Sequence, residues 1–72
     1  MNVARDAERA HEQVVVGSRW YGWGHHWTIM RDHLDEAGVR EVVMRRDTGP
    51  RHNRLNVVAA WRVQRYCTPR EA

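Results

Sequence analysis

Turn signals at Gly17-Ser18, Tyr21-Gly22-Trp23-Gly24, Gly38 and Asp47-Thr48-Gly49-Pro50 cut this chain into short pieces, several of them rich in β-branched residues. Short extended runs closed by Gly, Asp and Pro predict strands joined by tight turns. Val14–Val16 anchors a first strand from about Gln13 to Trp20, with Gly17 as the place for a bulge. Segment 39–46, VREVVMRR, is a strand with Val42 and Met44 on one face and Val39 and Val43 on the other. After a polar, basic loop at 47–54, Leu55–Ala60 extends again, Trp61-Arg62-Val63 interrupts it, and Gln64–Thr68 extends to Pro69. Residues 3–13 read as a short solvated helix or a frayed tail.

One segment carries two patterns. In WTIMRDHLDEA, residues 27–37, Trp27, Met30, Leu34 and Ala37 recur at helical spacing, and Gly38 stands where a helix ends. The same letters read as a strand Trp27–Leu34, with Asp35-Glu36-Ala37-Gly38 turning into the next strand. Periodicity alone does not choose between them. The expected fold is therefore mainly β, with an α+β arrangement of a three-stranded sheet and a helix at 27–37 as the alternative.

With 72 residues, the chain holds one domain: an N-terminal helix or tail at 1–12, the folded unit at 13–68 and a tail at 69–72. No window reaches the apolar length of a membrane helix, and MNVARDAERAHE lacks the apolar stretch of a signal peptide, so a cytoplasmic location is expected. The lone Cys67 excludes an internal disulfide. Every basic residue is Arg and Phe is absent, a bias that suggests a high-GC genome. The charge is unevenly spread: residues 1–12 and 13–44 carry −1 each, and residues 45–72 carry +5. A partner meets that grouped charge rather than the net +3.

From Gln13 the order of segments resembles the SH3-like small β-barrel. Such barrels have a first strand, an irregular aromatic loop, two strands joined by a hairpin, a fourth strand, one turn of 3₁₀ helix and a short last strand. Val57-Val58-Ala59-Ala60-Trp61-Arg62-Val63, followed by Gln64-Arg65-Tyr66, is similar to the step from fourth strand to 3₁₀ turn. The resemblance implies a five-stranded barrel over about residues 13–68. It does not imply polyproline recognition, because loop 21–26 has no acidic cluster and Ala60 stands where signalling SH3 domains carry proline or serine. Small barrels of this kind are common in phage and mobile-element proteins of high-GC bacteria, the setting that the composition suggests.

Two groups of residues point to binding. Trp20, Tyr21, Trp23, His25, His26 and Trp27 make the densest aromatic stretch. In a chain without Phe, Trp20, Trp27 and Trp61 are expected in the core, leaving Tyr21 and Trp23, flanked by glycines, as surface rings suited to stacking on bases or anchoring a partner. Arg45, Arg46, Arg51 and Arg54 surround Gly49-Pro50 and are expected to converge on phosphate, although a solvated basic face explains them equally well. The function expected is thus a non-enzymatic binding module that engages nucleic acid. Binding of a bacterial host protein through the same patch, or self-association, are the alternatives.

Catalytic and metal chemistry find little support. His25, His26, His33, His52 and Cys67 are ligand types without ligand spacing, since neighbouring histidines in a strand face opposite ways. Asp32, His33, Asp35 and Glu36 cluster in a charged segment with nothing to tune a catalytic pKa, and a single thiol such as Cys67 is most often a buried one. No cofactor is expected.

Overall fold

The computed structural model describes residues 14–70. Five strands, β1 (Arg19–Gly22), β2 (His25–Leu34), β3 (Arg40–Arg46), β4 (Leu55–Ala59) and β5 (Thr68–Arg70), form one antiparallel sheet in the order β4-β3-β2-β1-β5. Helix α1 (Ala60–Tyr66) links the two outermost strands. The mainly-β expectation holds, and segment 27–37 is a strand and turn, not a helix. The sheet does not close into a barrel, because β4 and β5 each pair on one side only.

Each turn has a local cause. Gly22 pairs with His25, so β1 and β2 are joined by Trp23-Gly24 alone, with φ +49° and +78°. Positive φ at both central positions gives the turn whose twist matches a hairpin, and it makes a narrower loop than the aromatic loop expected at 21–26. Between β2 and β3, the Asp35 carboxylate accepts from the backbone N–H groups of Ala37 (2.8 Å) and Val39 (2.9 Å), holding the chain reversal that Gly38 completes at φ +81°. The first strand starts later than expected. Val15–Ser18 close a turn at Gly17, and the Ser18 hydroxyl donates to Val15 O and accepts from Trp20 Nε1.

The inner face of the sheet carries the core: Trp20, Trp27, Ile29, Val42 and Met44, covered by Val14 and by Ala60, Val63 and Cys67. Alternation places these strand residues on one side, and each buried aliphatic side chain is worth about 1.5–3 kcal/mol. A bulge between Ile29 and Arg31 adds Met30 to β2 and bends the strand. Beyond it, Arg40 binds Asp32 at 3.0 Å and also donates to Val14 O, which ties the segment before β1 to the core.

Three expectations near the C-terminus need correction. The interruption at Trp61–Val63 is a seven-residue α-helix and not one 3₁₀ turn, so Gln64–Tyr66 are helical rather than extended. Burying Ala60, Val63 and Cys67 together requires helical spacing, which carries the helix through Tyr66. Trp61 lies off that stripe and stays 51% exposed, so it is not a core residue. The last strand runs through Arg70, beyond the expected boundary at Thr68. Pro69 is tolerated there because β5 is an edge strand. The helix or tail expected at 1–12, like residues 71–72, lies outside the described residues. No helix among the described residues is long and apolar enough to cross a membrane.

Candidate nucleic-acid interface

The six residues expected to form one site lie in different places. Arg45 and Arg46 are neighbours in β3 and therefore point to opposite faces of the sheet. On the outer face the register aligns Arg70, Arg19, Thr28, Arg45 and Leu55 across all five strands. Arg45 is already occupied, its Nε donating to Asp47 at 2.9 Å, while Thr28 donates to the same carboxylate at 2.5 Å. Burial alone would raise the Asp47 pKa. The hydrogen bonds from Thr28 and Arg45, with the charges of Arg45 and Arg19, outweigh burial and hold it below its ordinary value of 3.8.

Arg46 is on the inner face, at the end of the core. Its Nε is buried without a partner, one guanidinium nitrogen lies 3.4 Å from His25 Nε2, and its backbone bonds to Asn53 and Arg54 fasten loop 47–54. It is a structural residue more than a free cation. Arg51 and Arg54 are exposed in that loop. The four arginines therefore do not make one convergent cradle.

The two expected surface rings are both exposed and are separated by the sheet. Tyr21 lies on the outer face, its ring 4.9 Å from that of its cross-strand neighbour His26. Trp23 lies on the helix side, edge-on to Trp27 at 6.3 Å and tilted against Tyr66 at 6.3 Å.

Along α1, whose Tyr66 meets Trp23, the structure exposes what the sequence did not group. Trp23, Trp61 and Tyr66 are 46, 51 and 53% exposed. The Arg62 guanidinium lies 6.0 Å from the Trp61 ring and that of Arg65 lies 5.7 Å from the Tyr66 ring, within cation–π range. Neither arginine makes an ion pair among the described residues. The cause is helical geometry. With Ala60, Val63 and Cys67 turned inward, Trp61, Arg62, Arg65 and Tyr66 all face outward, and each ring–guanidinium contact joins sequence neighbours, Trp61 with Arg62 and Arg65 with Tyr66. That arrangement is readable in the sequence once 60–66 is taken as helix.

Between this surface and the sheet opens a groove of about 280 Å³ lined by Trp23, Trp27, Met44, Asn56, Val58 and Arg62. Its lining is apolar apart from one amide and one guanidinium. Trp23 stands at its mouth in the left-handed backbone region, where Asn or Gly is the usual occupant and a bulky residue is a true outlier.

The groups considered for other chemistry are scattered. His33 pairs with Glu41 at 3.2 Å on the outer face, Asp35 caps its turn, and no cluster of three metal-ligating side chains occurs among the described residues. Burial raises the Cys67 thiol to about 11, so it stays protonated and unreactive at neutral pH.

Comparison with known protein families, with curated proteins and with solved structures finds no match to this chain.

Proposed function

We propose that this chain is a non-enzymatic binding module that engages nucleic acid, using the aromatic and guanidinium surface formed by Trp23, Trp61, Tyr66, Arg62 and Arg65. The observation that carries the reading is three half-exposed rings interleaved with two arginines that have no acidic partner among the described residues. Rings give stacking area for bases of any sequence, and guanidinium groups capture phosphate, which together make a sequence-tolerant binder. Arg51 and Arg54 add long-range attraction. The strand order β5-β1-β2-β3-β4, with a helix between β4 and β5, supports placing the domain with SH3-like small barrels in an opened form. Together with the Arg-only composition, it supports an origin among phage or mobile-element proteins of high-GC bacteria, acting in the cytoplasm.

The test is fluorescence anisotropy with labelled single-stranded DNA, RNA and duplex DNA at low and near-physiological salt. Affinity is expected to fall with salt, and the double variant Arg62→Gln, Arg65→Gln to lower the salt slope by about 0.7–0.9 per lost phosphate contact. No binding at low salt would refute the reading.

A bacterial host protein is the second reading. It is favoured by the same residues, because Trp, Tyr and Arg dominate protein interfaces. Its signature is binding that survives salt and fails with Trp61→Ala. Self-association has its own support in Leu55 and Val57, exposed on edge strand β4, and a concentration-dependent mass would reveal it.

A further inference from the structure

We propose that the groove between the β1–β2 turn, β4 and α1 holds a single unstacked nucleobase, with the adjoining phosphate on Arg62, so that the module selects single strands over duplex. This rests on the nucleic-acid reading and specifies its ligand. Four observations converge on it.

The first is size. At about 280 Å³ the groove lies just below the range of drug-sized pockets, about 300–1,000 Å³, so it suits one ring system rather than an extended apolar helix. The second is lining. Trp27, Met44 and Val58 give an apolar floor, and Trp23 presents a half-exposed ring at the wall. A base stacked within a duplex cannot enter such a concavity, whereas a base of a flexible single strand turns in at low cost.

The third is polarity. The Asn56 side chain makes no hydrogen bond among the described residues, so its amide offers a donor and an acceptor to a base edge. Arg62 is the one charged lining residue, with no carboxylate beside it in the groove. The site therefore favours a flat neutral ring with an anionic group beside it and disfavours a cation. The fourth is backbone strain. Trp23 holds φ +49° in a two-residue turn that Asn or Gly would make without strain, and its ring remains half outside the core. Strain retained for an exposed ring points to use of that ring.

The experiment titrates the full chain with labelled single-stranded DNA, with the same strand carrying abasic positions, and with duplex DNA. Trp23→Asn removes the ring and suits the turn. Asn56→Ala and Arg62→Gln alter exposed side chains and serve if Trp23→Asn does not fold, as judged by circular dichroism. Single strands are expected to bind more tightly than duplex, abasic strands to lose affinity, and Trp23→Asn to weaken single-strand binding on the order of ten-fold. A nucleoside 5′-monophosphate is expected to quench tryptophan fluorescence where ribose 5-phosphate does not. Normal single-strand binding by the groove variants, with loss on Tyr21→Ala instead, would overturn the groove and move binding to the outer sheet face. Equal affinity for single strand and duplex would likewise overturn it, leaving the nucleic-acid reading intact. Failure of every nucleic acid to bind would overturn both.

Discussion

A methyl group at position 22 should cost this fold a large part of its stability. Gly22 ends β1 at the point where α1 hands over to β5, and a Cβ built there would lie 2.3 Å from Cys67 Sγ, 3.0 Å from Cys67 Cβ and 3.1 Å from Cys67 Cα. A side-chain rotation can move the sulfur but not the Cα, so Gly22→Ala must shift the backbone of Cys67. Gly22 O is also the acceptor for the buried Trp27 Nε1 at 2.8 Å, which limits movement on the other side. Overpacking of this kind costs about 1–3 kcal/mol, and contact with backbone places Gly22→Ala near the upper end. A chain of this length has about 4–11 kcal/mol in total. At about 4–8 °C per kcal/mol, the melting temperature should fall by about 12–24 °C.

A double-mutant cycle separates the clash from a generic glycine effect. Cys67→Ala removes the sulfur and should cost about 1 kcal/mol alone. Combined with Gly22→Ala it relieves the 2.3 Å contact and leaves those at 3.0 and 3.1 Å, so the pair should be more stable than additivity predicts by about 1–2 kcal/mol. The assay is denaturant unfolding of the four proteins followed by circular dichroism. Additivity within about 0.5 kcal/mol, or a Gly22→Ala protein as stable as the parent, would refute the packing argument.

Three further outcomes are expected. Because the Asp47 carboxyl is held below 3.8 in the fold, its contribution is present above that pH and is lost as pH falls through the lower folded value; Asp47→Asn should therefore flatten the acid limb of a stability-against-pH curve. Cys67, raised from 9.0 to about 11 by burial, contributes stability below 9.0 that is lost as pH climbs toward about 11, and a thiol reagent at neutral pH should label it far more slowly in the native protein than in denaturant. Trp23→Asn should change stability by less than about 1 kcal/mol in thermal melts, since relief of a left-handed tryptophan offsets the lost contacts with Trp27 and Tyr66; a loss above about 3 kcal/mol would make Trp23 a core residue.

Much of the fold was legible because it is local. The β-branched run of β3 and the loop at 47–54 follow from residue types acting on their own backbone, and Val42 and Met44 do face the core together. Segment 27–37 was not legible. Its strand form is decided by pairing with β1 and β3, which no spacing within the segment records. The helix at Ala60–Tyr66 was underestimated for the same reason, since only the core it covers selects a second turn.

The candidate site divides along the same line. Sequence alone determined which rings and cations exist, that Tyr21 and Trp23 reach solvent beside their glycines, and that the basic charge gathers in the C-terminal third. It did not determine which of them meet. Strand alternation sent Arg45 and Arg46 to opposite faces, Asp47 took up Arg45, and one helix brought Arg62 and Tyr66 beside Trp23. Residue type sets what a side chain can do; its neighbours, fixed by pairing and burial between distant segments, set what it does here.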